Sequence, residues 1–246
     1  MSSLEGKKAF ITGASRGIGA AIARRMAAEG ADVAIGYERS AQPAAALADE
    51  IKASGRRAVA IQMDAADPDS VKQAVDRAAA ELGGLDILVN NAGIWRAGPI
   101  EAMTLKDIDD ILAVNVRAAV VASQAALAYM PEGGRIISTG SNLASRVPAA
   151  GMSLYALSKA ALIGWTQGLA RDLGPRGITV NIVHPGSTDT DMNPADGAHA
   201  PDQLARMAIP RYGRPEDVAA LVAFVAGPEG RSINGTGLTV DGGANA

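Results

Sequence analysis

A short apolar run that ends in a glycine-rich turn and passes at once into an alanine-rich helix constrains this chain more than any other feature. Ala9-Phe-Ile-Thr12 has the length and apolarity of a buried strand. Gly13-Ala-Ser-Arg-Gly17-Ile-Gly19 follows it, then a helical run to about Glu29. Glycines let the backbone turn tightly and approach a pyrophosphate, and the free N–H groups of the following helix attract its charge. The spacing G-x-x-x-G-x-G departs from the GxGxxG dinucleotide fingerprint, and a plain glycine-rich turn would show the same residues. The physical requirement for a bound pyrophosphate is nevertheless met, with Gly13, Ser15, Arg16, Gly17, Ile18 and Gly19 as candidate contacts.

The same alternation continues to the end of the chain. Strands are expected at Asp32–Tyr37, 57–62, 85–89, 135–139, 178–183 and 238–240, with helices between them. Asp67 is placed to cap the helix that Pro68 opens and Leu82 closes. Strands alternating with helices of this length indicate βαβ units, a parallel sheet and ligands at the carboxyl ends of the strands. Apolar residues make up 48% of the chain and aromatic ones only 3%, so the core must be built from Ala, Val, Ile and Leu. No repeat or linker divides residues 1–246, which read as one domain. Residues 187–212, rich in Pro, Asp and Asn, have the composition of a mobile lid.

The end of the second strand bears on cofactor choice. An acid there commonly binds the adenosine ribose of NAD; here Tyr37 takes the place, with Arg16 and Arg39 nearby, which favours NADP. Glu38 opposes this reading. Asp64, followed by Ala65, stands where a short polar side chain meets an adenine edge.

Tyr155-Ala-Leu-Ser-Lys159 sets a phenol and an ammonium one helical turn apart on one face. An unperturbed phenol titrates near 10, and a cation at roughly 4 Å is expected to lower that value toward working pH. Ser141, at the end of the strand-like run 135–139, can share a carbonyl oxygen with the phenol. Spacing alone fits equally a half-buried Tyr beside a snorkelling Lys. Ala156, Ala160, Gly164 and Gly168 form a small-residue ridge on the same helix, suited either to packing on the chain's own sheet or to a second subunit.

TGASRGIG, NNAG at 90–93, Asn115, Ser141, Tyr155-x-x-x-Lys159 and Pro185-Gly186 stand in the order found in the short-chain dehydrogenase/reductase family, and the chain resembles that family over nearly its whole length. The nearest look-alikes are 3-oxoacyl-carrier-protein reductases and bacterial carbonyl reductases. The resemblance implies a Rossmann fold, a doubly wound seven-stranded parallel sheet flanked by helices. It also implies a catalytic tetrad of Ser141, Tyr155, Lys159 and Asn115, the last kinking its helix and holding a water beside the lysine. By the same resemblance Lys159 holds the nicotinamide ribose, Asn91, Ala92, Gly93, Pro185, Gly186, Thr188 and Thr190 line the cofactor, and the protein assembles as a dimer or tetramer. The interval from Ser141 to Tyr155 is about one residue longer than is commonest in the family, which keeps Ser138 and Ser145 as lesser candidates. Trp95, Asn142, Leu143, Arg146, Met152 and Met192 fall in segments around the carbonyl and suggest a mainly apolar substrate pocket.

A net charge of −3 gives no electrostatic footprint for nucleic acid or acidic membranes. With no cysteine and with His184 and His199 far from any ligand spacing, no metal is expected, and both histidines read as ordinary residues. The polar start through Lys8 leaves no room for a signal peptide, so the expected location is the cytoplasm. The expected activity is reduction of a ketone, an aldehyde or a 3-oxoacyl thioester by NADPH. The alternative is a regulator that keeps the fold and binds a nucleotide, such as a cyclic dinucleotide, without turnover.

Overall fold

Short, β-branched runs buried on both faces pair in parallel, and here they form one sheet. The computed structural model describes residues 3–246; Met1 and Ser2, part of the polar start, lie outside the described residues. The strands are β1 (Lys8–Ile11), β2 (Asp32–Tyr37), β3 (Ala58–Gln62), β4 (Ile87–Asn90), β5 (Arg135–Thr139), β6 (Thr179–Pro185) and β7 (Gly237–Val240). Their order is β3-β2-β1-β4-β5-β6-β7 and every pairing is parallel. The chain winds outward from β1 in one direction and from β4 in the other, so the crevice at their carboxyl ends is the place for a ligand. This is the doubly wound, seven-stranded Rossmann sheet expected from the sequence.

Helices cover both faces. α1 (Gly17–Ala28) and α2 (Ala41–Ala53) lie on one face with α8 (Pro215–Ala226), in a cluster that includes Ile22, Met26, Leu47, Ile51 and Val222. α3 (Pro68–Leu82), α5 (Ala118–Ala126) and α6 (Ser153–Leu173) lie on the other, around Phe10, Val71, Leu88, Ala122, Ile136 and Leu169. Asp67 does cap α3, accepting a hydrogen bond from the Asp69 N–H at 3.0 Å. Alanines dominate the helix faces turned inward, which lets the helices sit close to the sheet. Among the described residues no helix is long and apolar enough to cross a membrane.

Between α4 (Leu105–Leu112) and α5 the helix widens into a π turn at Ala113–Arg117, with Asn115 at its centre. A π turn costs regular hydrogen bonding and is found mostly where a side chain must be aimed. The expected interruption at Asn115 therefore takes the form of a widening rather than a break.

The ridge on α6 divides into two parts. Ala156 is buried in the chain's own core. Gly164 and Gly168 are exposed, and a Cβ at either would meet nothing within 4 Å. Packing on the chain's own sheet thus accounts for the start of the ridge and not for its end.

Residues 187–212 are more built than their composition suggested. They carry the short helix α7 (Ala200–Leu204), bury Ala200 and Met207, and join Asn193 to Gln203 by two amide hydrogen bonds of 3.0 and 2.9 Å. Polar residues that composition assigns to a loop here satisfy one another.

Candidate active site

The glycine turn owes its sequence to steric crowding. A Cβ at Gly13, where φ is +62°, would lie 2.8 Å from the Ala92 Cα, and one at Gly19 would lie 2.5 Å from both the Asn91 Nδ2 and the Gly13 carbonyl. Asn91 ties the two turns together: its Nδ2 donates to the carbonyls of Thr12 and Gly13, each at 3.0 Å. Thr12, which sequence reasoning passed over, accepts from the N–H groups of Asn91 and Ala92 at 2.9 and 3.0 Å. Arg16 stands at the N-cap of α1 without a side-chain cap hydrogen bond, and the first turn holds no acid, so the leading N–H groups of α1 suit an anion.

Across the crevice runs the segment after β6. Thr188 is buried and its hydroxyl donates to the Gly186 carbonyl; the Thr190 Cγ2 lies 3.4 Å from where a Cβ on Gly17 would be. Arg16 pairs with Asp191 at 3.0 Å, and Arg39 with Glu38 at 2.9 Å. All four side chains are at least half exposed, and such pairs contribute no more than about 1 kcal/mol. They are easily exchanged for contacts to a phosphate. Glu38, Arg39, Gln62, Asp64 and Ser70 line one polar pocket at this end of the sheet. Tyr37 packs partly against the core, the Ala65 methyl belongs to it, and an Asp64 carboxylate oxygen accepts from the Ala66 N–H at 2.8 Å.

At the other end α6 presents Tyr155 and Lys159. The Lys159 side chain is buried, and its Nζ donates to the Thr139 carbonyl at 2.9 Å while lying 5.8 Å from the Tyr155 ring centre. The Ser141 hydroxyl stands near enough to the phenol to pull its pKa down. Ser138 is instead buried in β5 with its hydroxyl unpartnered, and Ser145 is exposed. Ser141 is therefore the serine brought to Tyr155. Asn115 is wholly committed: its Oδ1 accepts from the Ile94 N–H at 2.8 Å, and its Nδ2 donates to the Ile94 carbonyl and to the Ser158 hydroxyl, both at 3.0 Å. A Cβ on Gly93 would sit 3.4 Å from both the Asn115 Oδ1 and the Lys159 Nζ. Gly93 thus separates these two polar groups by no more than its own width.

The electrostatics correct one expectation. Lys159 does not bring the phenol toward neutral pH in the protein alone: burial pushes the Tyr155 phenol up to about 12, against a downward pull from Ser141. Burial likewise pushes the Lys159 ammonium down to about 8. Both groups shift toward their neutral forms because both have lost water.

Trp95 stands over Tyr155, ring centres 4.5 Å apart and planes tilted by 55°, while Met192 is exposed and Met152 precedes α6. Two other expected pocket residues engage the end of the chain. The Asn142 carbonyl accepts from Asn245 at 2.7 Å, and the Arg146 guanidinium reaches the carbonyls of Ala244 and Ala246 at 3.5 Å. Among the described residues no cluster of three or more His, Cys, Asp or Glu could hold a metal.

A family model described as short chain dehydrogenase matches residues 7–200. The chain belongs to the short-chain dehydrogenase/reductase family. A relative from Escherichia coli, the cyclic-di-GMP-binding biofilm dispersal mediator protein, is 47% identical over 98% of this chain and 98% of its own. The 3-oxoacyl-[acyl-carrier-protein] reductase of Staphylococcus aureus is 39% identical over 96% of this chain and 97% of its own. Among solved structures, a short chain dehydrogenase from Burkholderia cenocepacia in complex with NADP superposes with a TM-score of 0.98 at 74% identity, covering 99% of this chain and 100% of that one. As a short-chain dehydrogenase/reductase, the protein is an NAD(P)-dependent oxidoreductase.

The buried ammonium has a measurable signature. Lys159 titrates near 8 when folded and near 10.5 when unfolded. Below about pH 8 both states hold the proton; between about 8 and 10.5 the unfolded chain binds more, so this residue makes stability rise with pH. Tyr155, raised from 10 to about 12, acts in the opposite sense only above pH 10. Urea unfolding from about pH 7.5 to about pH 9.5 should show wild type gaining roughly 2 kcal/mol relative to Lys159→Met. Parallel pH profiles would mean that the ammonium is solvated.

Proposed function

We propose that this protein is an NADPH-dependent reductase of a ketone or aldehyde, including a 3-oxoacyl thioester, with Tyr155 as general acid. The observation that carries the reading is a desolvated phenol with the Ser141 hydroxyl beside it and a buried ammonium 5.8 Å from its ring centre. A phenol that keeps its proton at working pH is a donor to a developing alkoxide. The same hydroxyl and that of Ser141 together grip the carbonyl oxygen before and during reduction. Lys159 offers positive charge when the phenol gives up its proton, and its remaining donors suit ribose hydroxyls. Asn115 holds Ile94 and, through Ser158, the turn of α6 that carries Tyr155.

The residues present fit a nicotinamide dinucleotide phosphate. Gly13, Gly17 and Gly19 with the uncapped start of α1 suit the pyrophosphate, Thr190 lies beside that turn with Thr188 two residues before it, and Arg16 and Arg39 suit a 2′-phosphate. NADPH, when bound, supplies the hydride. The NADP complex of the Burkholderia cenocepacia relative supports this cofactor. Trp95 and Met192 favour a substrate with an apolar or aromatic group beside its carbonyl, under a lid formed by 187–212 on a single domain spanning the chain.

A second reading, regulation by cyclic dinucleotide without turnover, is favoured by the name of the Escherichia coli relative. Against it stands the assembled Ser141–Tyr155–Lys159 group, which a pure binder does not need.

Tyr155→Phe deletes one hydroxyl and keeps the ring that packs against Trp95. Turnover of a good ketone should fall at least about 10³-fold, with NADPH affinity nearly unchanged by fluorescence titration. Retention of a tenth of wild-type activity would remove the phenol as acid, and a wild type with no activity on any ketone would favour the regulator. Lys159→Ala should weaken both turnover and NADPH binding.

Cofactor choice is tested by the same titration: NADPH should bind more tightly than NADH, and Arg16→Ala together with Arg39→Ala should bring the two affinities together. Equal affinities in the wild type would make Glu38 the deciding residue.

The exposed Gly164–Gly168 part of α6 supports assembly through this helix as a homodimer or homotetramer. Light scattering at micromolar concentration should give a dimer or larger, and Gly164→Arg should shift it toward monomer. A monomeric wild type would return the ridge to a solvent-facing surface.

A further inference from the structure

We propose that His184 is a positioning residue that holds the Ser141 peptide where the serine hydroxyl meets Tyr155, a role that rests on the reductase reading above. β5 and β6 run side by side, and the Gly140 N–H donates to the Val183 carbonyl at 2.7 Å, which brings His184 beside the turn that follows β5. The imidazole is buried, with its Nδ1 2.9 Å from the Ser141 carbonyl and 3.3 Å from the Ser141 nitrogen. A single Nδ1 can donate to the one or accept from the other, not both. The shorter contact assigns the proton to Nδ1, donating to the carbonyl.

Space for the ring is made by glycine on both sides. A Cβ at Gly140 would lie 2.5 Å from Nδ1, and one at Gly237 would lie 2.6 Å from Nε2. Neither neighbouring strand position can carry a side chain while the ring is there. Burial lowers the affinity of the imidazole for a second proton, the nearby charge of Lys159 lowers it further, and the Ser141 contact opposes both. The ring therefore stays neutral and adds no positive charge beside Lys159.

The division of labour at Ser141 follows. Its hydroxyl lies beside Tyr155 and accepts from the Leu143 N–H at 3.1 Å, while its carbonyl is fixed by His184 and by the Ala144 N–H at 3.0 Å. Loss of the imidazole frees the peptide to rotate, and misplacement of a reacting group by about 1 Å costs on the order of 10² in rate.

The test uses three measurements on the full chain. With only two histidines present, an imidazole ¹H–¹⁵N spectrum of wild type and His184→Asn identifies the His184 proton; an Nδ1–H resonance is expected, and an Nε2–H tautomer overturns the proposal. His184→Leu should lower kcat about 10- to 100-fold with the NADPH Kd within about twofold of wild type. His184→Asn, whose amide N–H can stand near the Nδ1 position, should recover most of the rate. In a Ser141→Ala background His184→Leu should cost little more, because the effect passes through the serine. Equal losses in both backgrounds, equal losses for Leu and Asn, or an unchanged kcat would each overturn the assignment. Tyr155→Phe is run beside them: if it is inactive while His184→Leu is normal, only the role of His184 falls. If Tyr155→Phe keeps its activity, the reductase reading falls and takes this role with it.

Discussion

An ammonium buried with no carboxylate partner among the described residues sets the conditions for everything near it. Lys159 has a main-chain carbonyl as its protein partner, at 2.9 Å, and a carbonyl supplies part of the stabilisation that water gave. The helix that carries it must therefore be held in place by other contacts. α6 is long, from Ser153 to Leu173, and buries Leu162, Leu169 and Leu173 against the sheet. That apolar burial offsets the cost of the lysine. The result is a cation whose field is little screened and is available to whatever anion or dipole enters the crevice.

The crevice is held by side chains joining strand ends rather than by any one loop. Thr12 at the end of β1 accepts from the turn after β4, Asn91 in that turn donates back to the end of β1, and Thr139 at the end of β5 donates to Asn91 at 3.2 Å. Thr139 also gives its carbonyl to Lys159. The nucleotide half of the crevice and its reactive half are thereby connected through a few hydrogen bonds.

Local patterns made much of this legible in the sequence. Gly13 and Gly19 stood out because a glycine-rich turn between a strand and a helix lets the backbone approach a pyrophosphate, while their crowding against Ala92 and Asn91 came only with the fold. Tyr155 and Lys159 did so because helical spacing puts them on one face, and Asn115 through its place in the family's motif order. What stayed hidden depends on distant parts of the chain. His184 looked ordinary because its meaning lies in Ser141, Gly140 and Gly237, which the fold alone brings together. The phenol was expected to titrate low because spacing shows the neighbouring cation and not the loss of water around both groups. The two halves of the α6 ridge differ only in what faces them. The 187–212 segment was read from composition, which is blind to the pairing of Asn193 with Gln203.

The opposed shifts of Tyr155 and Lys159 bear on the protonation states from which proton transfer starts. Desolvation alone would leave a neutral phenol near a cation that, at about 8, keeps most of its charge at neutral pH. Under the proposed reading that pair is set for giving a proton, since the acid is already loaded and the phenolate it leaves behind lies near a positive charge. Oxidation of an alcohol would require the reverse starting state, a phenolate formed against the cost of burial. Under that reading the protonated phenol is the form that gives a proton to a developing alkoxide, and the phenolate the form that would take one from an alcohol. Oxidation gains only as rising pH or added positive charge beside the ring makes the phenolate accessible.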